Sequence, residues 1–210
     1  MKKLKISQKN LGKTLREVIK LIKKGGVIVC PTDTVYGLIT DAKNEKAVRK
    51  VFKIKKRNFK KSIPIFVKDL KMAKKFVFVN KNQEEFLKEV WPGKVTVVSK
   101  AKSKKFPKGI LSKDKKIGLR IPNYKITNQL LITNSPLTGT SANISGKPAS
   151  TKIKEVLKQF KNQKHQPDLI LDVGNLKPSL SSTVVDLERF KILREGEFPK
   201  RKILRILRTI

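Results

Sequence analysis

Gly25-Gly26-Val27-Ile28-Val29-Cys30-Pro31-Thr32-Asp33-Thr34-Val35-Tyr36-Gly37-Leu38 is the stretch that decides the fold. Just upstream, Leu11, Leu15, Val18, Ile19 and Ile22 recur at helical spacing. Residues 11 to 24 therefore read as an amphipathic helix that the two glycines stop. Val27 to Cys30 is then a short apolar strand, and helix, glycine stop and buried strand make up a unit of an α/β sheet. At the carboxyl end of that strand, Pro31 to Leu38 carries two threonines, an aspartate and a tyrosine. Buried dry and unpaired, such groups cost about 1–3 kcal/mol each. Two arrangements satisfy them: a turn that bonds its own backbone, or a ligand cradle where open α/β sheets place their sites.

The same alternation continues downstream. Asp41 or Asn44 caps a helix whose apolar face is Ala47, Val48, Val51 and Phe52, and which runs into Lys55-Lys56-Arg57-Asn58. Ile63 to Val67 reads as a strand, with Pro64 pointing to an edge position or a bulge. Asp69 caps a short helix, and a longer helix around Gln83 to Val90 ends at Trp91-Pro92-Gly93. Strands are expected at Val95 to Ser99, Ile117 to Ile121, Pro136 to Thr140, and near 168–172, 182–187 and 191–194. Residues 100–116 are Lys-rich and weakly patterned, a surface loop. Helices are expected over about 125–132, after Ser150 as cap, and over 199–210, where Ile203, Ile206, Leu207 and Ile210 share a face. The expectation is an α/β fold, a twisted mixed sheet with flanking helices. Without internal repeats or a long linker it is one domain, residues 1–196, with a basic, helical, docked extension at 197–210.

Of 51 basic residues only nine are Arg, against 16 acidic residues, for a formal charge of +35. So large a charge attracts polyanions, nucleic acid included; a general compositional preference for Lys produces the same excess. Where Lys is so freely used, an Arg marks a place for a planar, bidentate guanidinium. Arg57, Arg120 and Arg194 lie beside strands or turns. The one cysteine, Cys30, excludes an intramolecular disulfide and reads as a core residue. No apolar run is long enough to span a bilayer. Met1-Lys2-Lys3 starts like a signal peptide, but Lys5, Gln8, Lys9 and Lys13 interrupt its apolar segment. A soluble, cytoplasmic protein without membrane association is expected.

The single histidine, His165, stands alone, and there is no Cys/His metal spacing, Walker loop or G-x-G-x-x-G. Cations and hydroxyls remain. Lys55 and Arg57 converge on one side where a helix unwinds into extended chain, which suits a polyphosphate. Ser141 and Asn143 likewise face one way in extended chain. Ser145-Gly146 then permits a tight turn with exposed amides, suited to an anion or to a plain Asx turn.

Pro31 to Leu38, Lys55-x-Arg57, Trp91-Pro92-Gly93, Arg120-Ile121-Pro122, Ser141-Ala142-Asn143-Ile144-Ser145-Gly146, Ser182-Thr183-Val184-Val185-Asp186 and Ile192-Leu193-Arg194 occur in one order. Together they resemble the YrdC-like domain of L-threonylcarbamoyladenylate synthases, in its short single-domain form, from about residue 10 to 196. The resemblance implies a nucleotidyltransferase that joins L-threonine, bicarbonate and ATP into threonylcarbamoyl-AMP with release of pyrophosphate. That is the first step of tRNA threonylcarbamoyladenosine modification, completed by a separate transferase complex. It implies Lys55 and Arg57 as catalytic residues and Lys55, Arg57, Lys61, Ser141, Asn143 and Arg194 around ATP. Thr34, Arg120 and Ser182 would hold threonine. Mg²⁺ would ride on the phosphates with few protein ligands, Asp33 being a candidate.

The chain departs from the family pattern at Asn58, where Pro is usual, and at Phe66, where some members carry His. It departs again at Lys116, often Thr, and at Ala149, where Ser is expected and Ser150 is adjacent. Two other readings are a YrdC-like paralogue acting on another carbamoyl-type compound and a non-catalytic RNA-binding protein for which tRNA is the natural partner.

Overall fold

The computed structural model describes residues 1–103, 105–132 and 135–210. Helix α1 (Leu11–Lys23) buries Thr14, Leu15, Val18 and Ile22 and is closed by amides of Gly25 and Gly26, which bond back to Ile22 and Leu21. Strand β2 (Ile28–Cys30) follows, fully buried, and turns through Pro31–Tyr36 into β3 (Gly37–Ile39). Asn44, not Asp41, caps α2 (Glu45–Lys55), accepting from the Ala47 amide. Asp69 caps α3 (Leu70–Ala73), and Asn80 with Gln83 forms a capping box on α4 (Lys81–Val90). Strands β4 (Ile65–Phe66), β5 (Val95–Lys100) and β6 (Lys116–Arg120) flank these helices, and α5 (Lys125–Leu131) follows.

The remaining elements are β7 (Leu137–Thr138), β8 (Thr140–Ser141), α6 (Ile153–Phe160), β9 (Leu169–Asp172), β10 (Thr183–Asp186), β11 (Lys191–Arg194) and α7 (Lys200–Leu207). An N-terminal strand, β1 (Lys2–Lys5), joins them. The sequence expectation missed β1 because Lys-Lys-Leu-Lys has almost no apolar alternation. It is held by parallel pairing to β9.

The α/β class is as expected, but the mixed sheet is two sheets. One runs β1-β9-β2-β3-β8, the other β11-β10-β5-β6-β4-β7, and each combines parallel and antiparallel pairs. The chain crosses between them at Gly139. Residues 136–140, expected as one strand, are thereby divided into β7 of one sheet and β8 of the other. Gly139 fits because a Cβ there would lie 2.6 Å from the Phe66 ring. Pro64 does not mark an edge: β4 lies inside its sheet, parallel to β6 and antiparallel to β7. Pro64 precedes the paired residues, so its missing N–H costs the ladder nothing, and its carbonyl accepts from the Gly139 amide. Nor does Ser150 cap α6, whose N-cap is Lys152. Its hydroxyl instead accepts from the Lys152 amide at 2.9 Å and donates to Glu155 at 2.5 Å.

Residues 100–116 form mostly irregular chain between β5 and β6; Lys104 lies outside the described residues. Among the described residues no helix is long and apolar enough to cross a membrane. Cys30 is fully buried and desolvation pushes its thiol up to about 12, so it remains a protonated core residue.

The larger core cluster, with Val29, Leu38, Val97, Leu119 and Val185, fills the space between the sheets and α2, α4 and α6. A second, with Leu15, Val18, Ile28 and Leu169, lies under α1 and α5. Helix α7 inserts Ile203 into the first, fully buried, and packs Ile206 and Leu207 beside it. Ile203→Ala is therefore expected to cost about 2–5 kcal/mol, read as a lower urea midpoint with an unchanged m value.

Candidate active site

A cavity of about 270 Å³ opens between the two sheets. Its floor is strand alternation made concrete: Lys116, Gly118 and Arg120 are two apart on β6 and all line it, as do Thr96 and Val98 on β5 and Ser182 and Val184 at β10. Arg194 pairs across from Val184 on β11. Thr32, Thr34, Gly37, Thr140 and Ser141 from the other sheet form the roof, and Arg57, Ser62, Pro64 and Phe66 form a side wall.

The Pro31–Leu38 stretch combines both arrangements the sequence allowed. Thr32 Oγ1 donates to Val35 O at 2.7 Å and accepts from the Thr34 amide at 3.1 Å. With its proton so used, Thr32 Oγ1 accepts from Thr34 Oγ1, 3.1 Å away. Thr34 Oγ1 in turn accepts from Arg120 Nη1 at 3.1 Å and keeps one lone pair. Tyr36 is spent structurally, donating to Gly174 O at 2.7 Å.

Arg120 is the most buried of the cations that line the cavity. It is 4 % exposed, donates Nε–H to Gly93 O at 2.9 Å, and pairs through Nη2 with Asp33 Oδ1 at 2.6 Å. Asp33 Oδ2 accepts from the Asn123 amide at 3.1 Å. Three of five guanidinium N–H groups are committed and two remain. Burial pushes this guanidinium down, Asp33 supports its charge, and Arg194 opposes it. Phe66 lies with its ring centre 5.7 Å from Arg120 Cζ, a cation–aromatic contact.

Lys55 is brought to the site but not into the cavity. Only 2 % exposed, its ammonium donates to Ser141 O at 2.5 Å and to Asn143 O and Oδ1, both at 3.0 Å. Asn143 also accepts from Ser141 Oγ at 2.6 Å, and its amide donates to Ile144 O and Lys147 O. Lys55 and Asn143 are thus saturated by the chain itself and fix the turn that presents Ser141. Burial first, and the neighbouring Arg57 second, push the Lys55 ammonium down to about 7.

Arg57 does line the cavity, braced on Lys61 O at 2.8 Å and Ser62 O at 3.0 Å. Lys61 contributes that carbonyl, while its side chain is exposed. Arg194 donates to Ser182 O at 2.6 Å, and Ser182 Oγ shares a 2.8 Å hydrogen bond with Thr96. Desolvation depresses both guanidinium groups, and Arg194 depresses Arg57 further. Among the described residues no Asp, Glu, His or Cys lines the cavity. Among the described residues no group of three such side chains could hold a metal. Both Asp33 oxygens are engaged, by Arg120 and by the Asn123 amide.

The departures from the family pattern have local explanations. Asn58 Oδ1 accepts from the Lys60 amide at 2.8 Å, closing by an Asx turn the bend where Pro is usual. Lys116 Nζ is tied to Asp186 at 2.7 Å and Glu188 at 3.2 Å, and the Asp186 bond raises its pKa. Sequence reasoning did not single out Thr32, Gly93 O, Ser62 or Thr96. The alternation Lys116-Gly118-Arg120 was the available signal for the floor; the others arrive from distant segments.

A cleft between two mixed sheets, lined by hydroxyls, Lys116 and three guanidinium groups, of which Arg120 is balanced by Asp33 behind it, defines an α/β protein whose central cavity has the charge to accept an anion. Residues 20–196 match the Sua5/YciO/YrdC family, described as telomere recombination. The chain is 39 % identical over 202 residues to a putative threonylcarbamoyl-AMP synthase of Methanocaldococcus jannaschii, covering 95 % of this chain and 94 % of that protein. It is 30 % identical over 200 residues to the threonylcarbamoyl-AMP synthase of Pyrococcus abyssi, covering 93 % of this chain but 58 % of that longer one. The crystal structure of P. abyssi Sua5 complexed with L-threonine superposes with a TM-score of 0.87 at 27 % identity, over 98 % of this chain and 60 % of that one. The chain belongs to the Sua5/YciO/YrdC family.

Two outcomes follow from the site's electrostatics. Asp33→Ala leaves Arg120 buried without its counter-charge and is expected to cost about 3–5 kcal/mol in urea unfolding. Burial holds the Lys55 ammonium at about 7 in the folded chain against its ordinary 10.5 when unfolded, so between these values the unfolded chain binds the extra proton. Its contribution to stability therefore rises with pH across that window. Urea titrations from pH 7 upward are expected to find this rise in the native protein and its loss in Lys55→Met, which starts from a lower baseline.

Proposed function

We propose that the chain condenses L-threonine, bicarbonate and ATP into L-threonylcarbamoyl-AMP and pyrophosphate. The observation that carries this reading is Arg120, held by Asp33, Thr34 and Gly93 with two N–H groups uncommitted, in a cavity shared with Arg57 and Arg194. An amino-acid carboxylate at the Arg120 end and a polyphosphate at the Arg57–Arg194 pair is the ligand set this charge distribution accommodates. The M. jannaschii and P. abyssi relatives are named for this synthesis, and the P. abyssi structure contains L-threonine.

In this reading Arg120 takes the threonine carboxylate, with Thr34 and Ser182 beside it. Arg57, Arg194 and Ser141 take the nucleotide. Lys55 and Asn143 hold the Ser141 turn, and the exposed Lys61 swings toward the phosphates. The threonine amine adds to bicarbonate and water leaves, giving an N-carboxylate. A carbamate oxygen then attacks the α-phosphorus as the bond to the β-phosphate bridging oxygen breaks. Such a step depends on in-line placement and charge neutralisation rather than on a strong side-chain base, so the absence of His and Cys from the cavity lining is consistent with it. Residues 1–196 form the catalytic domain and 197–210 an extension. The product is passed in the cytoplasm to a separate transferase complex that modifies adenosine in tRNA.

Pyrophosphate release measured with ATP and bicarbonate is expected to require L-threonine. Arg57→Ala is expected to lower kcat/KM for ATP by about 10- to 100-fold, the worth of a charged hydrogen bond. Arg120→Lys, which keeps the charge but loses the fork, should raise KM for threonine at least about tenfold. Absence of threonine-dependent release from folded protein would reject the reading, and preference for another carbamoyl-type substrate would favour a paralogous activity.

A further inference from the structure

The proposed reaction leaves Thr96 without a part, although its side chain stands in the middle of the cavity floor. Thr96 adjoins Val97, whose pairing partner is Leu119, the neighbour of Arg120, and both Thr96 and Arg120 turn into the cavity. On its other side Thr96 pairs with Val184, and Val184 pairs with Arg194. A row across β6, β5, β10 and β11 thus runs Arg120, Thr96, Val184, Arg194, from the threonine end to the nucleotide end. Thr96 is the one hydroxyl in that row. It and Ser182 are both buried, and their hydroxyl oxygens lie 2.8 Å apart.

Among the described residues this is the only hydrogen bond that either hydroxyl makes. Buried hydroxyls elsewhere answer the backbone: Thr40 donates to Gly26 O, Thr127 to Pro31 O, Thr138 to Leu38 O and Thr183 to Phe198 O. The Thr96 and Ser182 hydroxyls satisfy no backbone group, and a Val would fill the same β-branched space on β5. Two hydroxyls hold two protons, and the bond between them uses one, so one O–H is left for the cavity. A carboxylate only accepts, so Ser182 serves one with its own proton and must then accept the proton of Thr96. Thr96 is suited to be that donor, because its β-branch restricts χ1. Its methyl carbon packs over Gly118, 3.7 Å from where a Cβ on that residue would stand.

We propose that Thr96 is a positioning residue for threonine: its hydroxyl donates to Ser182 Oγ and turns the Ser182 proton toward the carboxylate held by Arg120. The inference rests on the reading that Arg120 and Ser182 receive threonine, and it adds what aims the serine. Arg194 fixes the backbone of the same residue, donating to Ser182 O at 2.6 Å. Ser182 is thus held at its carbonyl by a cation of the nucleotide end and at its hydroxyl by Thr96. The ligand meets a preset donor rather than a free rotor, and the cost of ordering it is met before binding. A hydroxyl that accepts one hydrogen bond while donating another is also the stronger donor.

The test is steady-state pyrophosphate release by the full chain at saturating ATP and bicarbonate, with threonine varied. Thr96→Val, which keeps the shape but not the hydroxyl, is expected to raise KM for threonine about 3- to 10-fold. Its kcat should change less, and its KM for ATP by less than about twofold, because the lost contact belongs to threonine binding. Thr96→Ser, which returns the hydroxyl, should recover most of the loss. Thr96→Ala carries the same expectation as the valine variant should that one fail to fold. Ser182→Ala should raise KM at least as much, and adding Thr96→Val to it should cost less than about twofold more, since both act through one bond. An unchanged KM in Thr96→Val, no recovery in Thr96→Ser, or single losses that multiply in the double variant would each overturn this inference and leave the synthase reading standing. Pyrophosphate release from the wild-type chain that ignores threonine would overturn both.

Discussion

The buried ion pair between Arg120 and Asp33 ties the two sheets and the site together. Arg120 ends β6 in one sheet, and Asp33 follows β2 in the other. At 2.6 Å, with Thr34 and the Gly93 carbonyl on the same guanidinium, this contact sets the separation at which the central cavity exists. A buried guanidinium is tolerated only when paired and hydrogen-bonded. The polar density of Pro31–Leu38 therefore supplies a counter-charge and hydroxyl acceptors to a strand from a distant part of the chain. The same pairing leaves part of the guanidinium open to a ligand, so structural and binding roles share one side chain.

A second constraint is charge without compensation. Arg194 lies close enough to add to the desolvation that depresses Arg57, and among the described residues no carboxylate lines the cavity beside them. Arg57 is half-buried on the Lys61 and Ser62 carbonyls and Arg194 is exposed on the Ser182 carbonyl, so their charges, unlike that of Arg120, are left for an anion to balance. Lys55 behaves differently: its three carbonyl-type acceptors turn a buried ammonium into a strut between the end of α2 and the turn after β8. Cations that face the cavity and cations that build it are distinguishable only by where their donors go.

Helix α1, the Gly25-Gly26 stop, strand β2, the Asp69 cap and the apolar face of α7 were all legible in the sequence, because each rests on local periodicity or a local hydrogen bond. The site was legible as a set of residue types in one order, and Thr34, Arg57, Arg120, Ser141, Ser182 and Arg194 all line the cavity. What could not be read was the division into two sheets and the switch at Gly139. Pairing partners lie far apart in sequence, and short strands carry too little pattern to name them. Pro64 misled for the same reason: its missing N–H is costly only where the ladder needs it, and the ladder begins one residue later.

The sequence by itself determined the helices, the buried strand before Pro31, the core role of Cys30 and the supply of cations and hydroxyls, since these follow from nearest-neighbour chemistry. Only the tertiary structure decided which cation does what. Lys55 and Arg57 are two residues apart and chemically alike in charge, yet one is consumed by the turn at Ser141–Asn143 and the other faces the cavity. The left-handed Lys56 between them, at φ 49°, ends the helix and sends the two side chains to different surroundings. That separation depends on where β8 comes to lie against α2, which no local pattern encodes.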